Sequence, residues 1–286
     1  MSKHEEFSWQ SKNGQKVFAQ AWIPAHTRGA IALVHGLGEH STRYAHVARS
    51  FNEQGLAVLA FDLPGHGRSE GVRGHASYEN IADEIDHLLA ETRRRFPNQP
   101  VFLYGHSLGA SLVLYYTLKR KPTLTGVIAT SPPLATAGVS GPKLFLGRIL
   151  SRIAPSVTLD NGLKAEQLSQ DSSVVTAYQQ DPLVHPRISA RLGWDLLSMG
   201  PWILAHASEL HLPLLLVHGA NDQICLCAGS QQFVERAPAG RVTFKLWDNL
   251  YHETHNEPDK ADVIAYTQAW INQLLNVENG ILSSVS

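Results

Sequence analysis

Short apolar runs separated by turn-forming residues dominate the chain. Ala30-Ile-Ala-Leu-Val34, Leu56-Ala-Val-Leu-Ala-Phe61, Val101-Phe-Leu-Tyr104, Gly126-Val-Ile-Ala-Thr130 and Leu212-Pro-Leu-Leu-Leu-Val217 are too short for helices and have no polar side. That is the signature of strands buried on both faces of a parallel sheet. Before them, Phe7-Ser-Trp9 and Lys16 to Trp22 alternate around Asn13-Gly14, a hairpin turn signal. Between and after the runs, Tyr44–Gly55, Ile81–Phe96, Ala110–Leu118 and Asp259–Leu275 read as helices; Ile81, Ile85, Leu88 and Leu89 mark one face. Val242 to Trp247 supplies one more strand. The order predicts an α/β fold, a mostly parallel eight-stranded sheet flanked by helices with an antiparallel start.

The alternation stops at Ser131-Pro-Pro133 and resumes near residue 209. Residues 134–208 carry helix-like pieces and no buried-strand run, so they are expected to form a helical cap inserted between two parts of one core, 1–133 and 209–278. Residues 279–286 are expected to be a loose tail. Within the cap, Leu146, Ile149, Leu150 and Ile153 fall at helical spacing, with Arg148 and Arg152 on another face. The stripe suits plain packing onto the core first; it also suits a lid helix bordering an acyl tunnel or touching lipid aggregates, and the two are compatible.

Composition narrows the class without changing this picture. The 286 residues are 43% hydrophobic and 17% charged, with net charge -1 and no basic stripe, which argues against a nucleic-acid partner. The start, Met1-Ser-Lys-His-Glu-Glu, is polar with no apolar signal core behind it, and the two cysteines, Cys225 and Cys227, are too close for an easy disulfide. A reducing cytoplasm is the expected location. Sequence gives no oligomeric state.

The candidate chemistry begins where the third apolar run ends, in Gly105-His-Ser107-Leu-Gly109 followed at once by a helix-like segment. Strand, Gly-x-Ser-x-Gly and helix together are the context of a nucleophile elbow, and a Cβ at either glycine would collide where strand and helix pass. A serine needs a base and a group to orient that base. Asp222 follows one later strand and His252 the next, and the order Ser107, Asp222, His252 is that of α/β-hydrolases. An oxyanion hole needs two N–H donors; Leu108, after the nucleophile, and Leu37, in His35-Gly-Leu-Gly38, are the candidates. His252-Glu-Thr-His255 is one residue short of the zinc pattern His-Glu-x-x-His, and no other ligand cluster stands out, so neither metal nor cofactor is expected.

Val34-His-Gly-Leu-Gly-Glu-His-Ser-Thr-Arg-Tyr44, Asp62-Leu-Pro-Gly-His-Gly-Arg-Ser-Glu-Gly71, Gly105-His-Ser-Leu-Gly109, Asp181-Pro-Leu-Val184, Val217-His-Gly-Ala-Asn-Asp222 and Tyr251-His252 together resemble monoacylglycerol lipases and related lysophospholipase-like hydrolases. The resemblance covers about residue 5 to 275 and is weakest in the cap. It implies a serine hydrolase cleaving a carboxylic ester, a monoacylglycerol foremost. It further implies that Glu39, Arg43 and His255 line a polar pocket for the glycerol head, and that the cap roofs an acyl tunnel. Other readings stay open: a general carboxylesterase, a lysophospholipase, an aminopeptidase using cap acids such as Asp160, Glu166 and Asp171, or a binding protein on this fold. Arg43 and Glu39 also suit a surface ion pair, and Cys225 a small buried hydrophobe.

Overall fold

The structure, a computed structural model, describes residues 2–135 and 141–283. Strands β1 (Lys3–Gln10) and β2 (Lys16–Ile23) form the expected hairpin, turning at Gly14 with φ +75. Then β3 (Gly29–Val34), α1 (Ala45–Glu53), β4 (Leu56–Phe61), α2 (Tyr78–Arg95), β5 (Val101–His106), α3 (Leu108–Arg120) and β6 (Gly126–Thr130) follow. The segment before the next core strand holds α4 (Gly141–Ile153), β7 (Thr158–Asp160), α5 (Ser172–Gln180), β8 (Arg187–Ser189) and α6 (Ala190–Ala205). The chain closes with β9 (Leu214–Gly219), α7 (Cys227–Arg236), β10 (Val242–Trp247) and α8 (Lys260–Ser283).

Eight strands make one sheet in the order β1-β2-β4-β3-β5-β6-β9-β10; the first two join antiparallel and the rest run parallel. The unbroken apolar runs are explained by alternation between two cores. In β5, Val101 and Leu103 enter the cluster shared with α2, α3 and α6, whereas Phe102 and Tyr104 enter the cluster shared with α1 and α8. β3 and β4 divide their side chains the same way. A fully buried leucine or phenylalanine stabilises by roughly 1.5–3 kcal/mol, so both faces demand apolar residues at every position.

The chain leaves β3 toward β4 on one side and returns to β5 on the other. That reversal opens a crevice beyond the C-terminal ends of β3 and β5, where open α/β sheets bind ligands. The loop holding Leu37 and the turn holding Ser107 border this crevice.

The inserted segment is not purely helical. Thr158–Asp160 and Arg187–Ser189 pair as a short antiparallel ribbon, too short and too exposed to leave a hydrophobic signal in sequence. At the other end, α8 continues through Ser283, so residues 279–283, expected in the loose tail, extend the helix. No proline interrupts Asn276 to Ser283, and one glycine costs a helix only about 1 kcal/mol. Among the described residues, no helix is long and apolar enough to cross a membrane.

Candidate active site

Ser107 caps the N-terminus of α3 with φ 53 and ψ -119, a left-handed conformation that costs a non-glycine residue on the order of 1–3 kcal/mol. The turn survives because its surroundings fix it. Ser107 N–H donates to Thr130 O at 2.8 Å, and the glycines on either side admit neighbours nothing larger could tolerate. A Cβ on Gly105 would lie 2.3 Å from Gly109 O, and one on Gly109 would lie 2.2 Å from Val34 O.

The three expected triad residues meet. His252 Nε2 lies 2.9 Å from Ser107 Oγ, and His252 Nδ1 lies 2.8 Å from Asp222 Oδ2. Asp222 Oδ1 accepts the N–H groups of Ile224 and Cys225 at 2.8 and 2.9 Å. His218 Nε2 stands 3.2 Å from Asp222 Oδ2 and is anchored from its other edge by Ser230 Oγ at 2.8 Å. Burial acts to raise the Asp222 pKa, but His252, His218 and the Cys225 N–H outweigh it and hold the carboxyl well below the usual range. Asp222 is therefore an anion that orients His252 by Nδ1 and leaves Nε2 facing the serine. The base loop is tied down by Ser131 Oγ, which donates to His252 O at 2.8 Å. His218, Ser230 and Ser131 escaped the sequence reading because an isolated histidine or serine carries no pattern.

Leu37 and Leu108 flank Ser107 at the mouth of one cavity. Leu108 opens α3, where the first N–H groups have no helical acceptor. No described residue accepts from Leu37 N–H either. Two free donors beside a nucleophile are what a developing oxyanion requires.

The cavity has a volume of about 310 Å³. Its apolar wall includes Leu108, Pro133, Leu163, Leu196 and Ile224, with Cys225 at the serine end. Burial and then the Asp222 charge push the Cys225 thiol well up, against a hydrogen bond from Ser107, so it stays protonated. Cys225, Asp222 and His252 do place ligand atoms within 4.8 Å of one another. Both His252 nitrogens are already engaged, Nδ1 by Asp222 and Nε2 by Ser107, so the ring has no free nitrogen to offer a metal.

Among the described residues, helix α4 contributes none to the lining of this cavity. Ile149 is 38% and Ile153 75% exposed, Leu150 is half-buried, and the Leu146 side chain lies outside the described residues. The reason is the opposite face. Gly147, Ser151 and Ala154 are less exposed than Ile149 and Ile153, and Gly147 approaches Trp194 of α6 at 4.0 Å from its would-be Cβ. Small residues let the two helices come close, which turns the larger apolar residues outward. The cap contributes instead Asn161-Gly-Leu163, Gln167 and Leu196, a loop-rich wall without periodicity.

A second space, of about 10 Å³, lies across Ser107, bordered by Glu39, His106, Tyr178, His252 and Glu253. Arg43 clamps both acids: Nη1 and Nη2 meet Glu253 at 2.7 Å each, and Nη1 meets Glu39 at 2.5 Å. This is a buried bidentate pair, far from the surface contact that a lone Arg–Glu spacing also allows. Burial alone would raise Glu253, but Arg43 overrides it and holds the carboxyl well below its usual range. Glu253 is not legible in sequence, because its partners Arg43 and Asn256 are set by the fold and a single glutamate carries no pattern. His255 does not reach either space. It stacks on Tyr44 with ring centroids 4.9 Å apart and meets His106 edge-on at 4.7 Å, and neither ring nitrogen has a partner among the described residues. Burial, then His106, pushes its pKa well down, so the ring is neutral.

Residues 25–259 match the family model for Hydrolase_4, described as serine aminopeptidase, S33. An uncharacterized abhydrolase domain-containing protein of Dictyostelium discoideum is 42% identical over 93% of this chain, which spans only 29% of that protein. A monoacylglycerol lipase of Mycolicibacterium smegmatis is 33% identical, over 94% of this chain and 98% of its own. The crystal structure of Paleococcus ferrophilus monoacylglycerol lipase superposes with a TM-score of 0.81 at 32% identity, covering 96% of this chain and 99% of that one. The chain belongs to the Hydrolase_4 family and is a serine ester hydrolase of the α/β-hydrolase fold, similar to the monoacylglycerol lipases.

Proposed function

We propose that the protein hydrolyses monoacylglycerols to fatty acid and glycerol, with Ser107 as nucleophile, His252 as base and Asp222 as its orienting anion. The observation that carries this reading is the 2.9 Å contact of His252 with Ser107 at the mouth of an apolar cavity. Ser107 Oγ attacks the ester carbonyl while His252 Nε2 takes its proton, and Leu37 and Leu108 N–H groups receive the oxyanion. His252 then returns the proton to the departing alcohol. The acyl group stays on Ser107 with its chain in the large cavity, and water activated by His252 releases the acid. The small compartment borders both Ser107 and His252 and has room for one water, which suits the second step. A glycerol head needs it to widen, and Leu163 and Tyr178, shared with an adjoining cavity, are the residues that would give way.

An aminopeptidase needs a free acid beside the scissile bond for the substrate amine. Asp160 accepts from Gly162 N, Glu166 from Gln179, and Asp171 caps α5; none borders the cavity. Glu39 and Glu253 both bind the single Arg43 guanidinium, so neither is a free acid. These facts favour the ester. The outward stripe, Phe145, Ile149 and Ile153 with exposed Arg148 and Arg152, supports a lipid contact through the cap, and two free cysteines fit a reducing cytoplasm. Rates on monoacylglycerols, ethyl esters, lysophospholipids and aminoacyl anilides of matched chain test the reading. Monoacylglycerols are expected to have the highest kcat/KM; an anilide exceeding every ester would overturn it.

A further inference from the structure

Gly36 lies against the nucleophile, its would-be Cβ 3.3 Å from Ser107 Cβ, and buried side chains grip it from both sides. On one side its N–H donates to Glu39 Oε1 at 2.6 Å. That oxygen also accepts Tyr44 OH at 2.7 Å, and the other oxygen is held by Arg43. On the other side, the Gly36 carbonyl is 2.8 Å from His35 Nδ1. The far edge of this ring settles its tautomer. Leu63 N–H donates to Nε2 at 2.9 Å, so Nε2 carries the lone pair and, in the neutral ring, Nδ1 carries the proton that Gly36 O accepts. His35 has no exposed surface and Glu39 is 3% exposed.

Gly36 C=O and Leu37 N–H belong to one planar trans peptide unit, in which they point in opposite directions. Holding the carbonyl therefore aims the N–H. We propose that His35 and Glu39 are positioning residues for the oxyanion hole: His35 holds the Gly36–Leu37 peptide by its carbonyl and Glu39 holds the preceding peptide by the Gly36 N–H, so that Leu37 N–H points at the developing charge. The inference rests on the reading of Leu37 as an oxyanion donor. It gives Glu39 work other than holding a glycerol head, since both its oxygens already accept hydrogen bonds inside the protein. The two roles separate cleanly. An oxyanion forms on every ester, whereas glycerol hydroxyls are present on only some.

Losing a whole oxyanion donor costs about 10²–10³ in kcat, so a donor left unaimed should cost roughly 10–10². The test measures kcat and KM for His35→Gln and Glu39→Ala on a monoacylglycerol and on the ethyl ester of the same acid. It adds the inhibition constant of an alkylboronic acid, whose adduct with Ser107 places an oxygen in the hole. Both variants are expected to lose kcat by the same factor on both esters, with KM little changed and boronate affinity falling in parallel. His35→Asn, whose amide can occupy the Nδ1 place, and Glu39→Gln, which keeps the Gly36 contact, are expected to recover most of the loss. A loss confined to the monoacylglycerol, or no loss of boronate affinity, overturns the assignment. If the boronate does not engage Ser107 of the parent enzyme, the reading of the site fails first; if it does and the variants behave as the parent, only the positioning role fails.

Discussion

The cavity on one side of Ser107 has a volume of about 310 Å³ and the compartment on the other about 10 Å³. The large one is walled mainly by apolar side chains, Leu163 and Leu196 of the cap among them, with the amides of Asn161, Gln167 and Gln223, and among the described residues no ionised pair borders it. The small one is closed by carboxylates that Arg43 holds in place, on core loops that also carry Leu37 and His252. One side can accept a chain of variable length at little electrostatic cost; the other must keep its geometry, because Glu39, Arg43 and Glu253 tie the loop after β3 to the loop after β10. Adaptable specificity and rigid chemistry are thus separated across a single hydroxyl.

The relay itself divides the two spaces, and breaking it should have the largest effect. Ser107→Ala and His252→Ala are each expected to lose kcat by roughly 10⁴-fold or more, and the double variant to lose little further, because the two act as one unit. Asp222→Asn should lose about 10⁴-fold by leaving His252 in the wrong tautomer. Single-turnover kinetics check all four.

On the ionised side, Arg43→Ala leaves two buried carboxylates without a counter-charge. Denaturant unfolding should show a loss of about 3–5 kcal/mol. A loss under 1 kcal/mol would mean that the pair behaves as a surface contact.

Acid should also weaken this side. His106 is pushed down to about 3 by burial and then by His252, and His255 well down by burial and then by His106. Unfolded histidines titrate near 6.5, so below that pH the unfolded chain binds protons that the folded rings refuse. Stability is therefore full above about pH 6.5 and falls with acidification, by about 1.4 kcal/mol per pH unit for each such ring. His255 faces His106, Tyr44 and His46, with Glu253 and Glu39 near, and His255→Phe keeps the stack while removing one titrating ring. Its stability should fall less steeply between pH 6.5 and 5 than the parent's; identical slopes would falsify this account of the stack.

The apolar side should respond more gently. Each methylene buried in the cavity is worth about 0.8 kcal/mol, near fourfold in kcat/KM. Leu196→Trp is expected to shorten the preferred acyl chain and leave short esters nearly unchanged. Ile153→Trp, on the outward face of α4, should leave the chain-length profile as it was. A shift from Ile153 and none from Leu196 would reverse the assignment of walls.

The same contrast explains what could be read in advance. Core strands are legible because burial on both faces leaves no polar position, as in Ala30 to Val34. The meeting of Ser107, Asp222 and His252 is legible because Ser107 sits between two glycines and the other two end successive strands. The cap wall is not legible: Asn161-Gly-Leu163 is a loop with no period, and the ribbon of β7 and β8 is three residues long on each side. The α4 stripe misled because Gly147, Ser151 and Ala154, which decide how closely two helices pack, carry no hydrophobic signal. Glu39, Arg43 and His255 were grouped by resemblance; Arg43 joins Glu39 to Glu253, while His255 belongs to an aromatic stack behind them.

The most direct test of the account is covalent. Alkyl fluorophosphonates of increasing chain length, followed by peptide mass mapping, report nucleophile and cavity together. A single adduct on Ser107 is expected, formed faster as the alkyl chain lengthens and abolished in His252→Ala. An adduct on another residue, or a Ser107 rate indifferent to both chain length and His252, would contradict it.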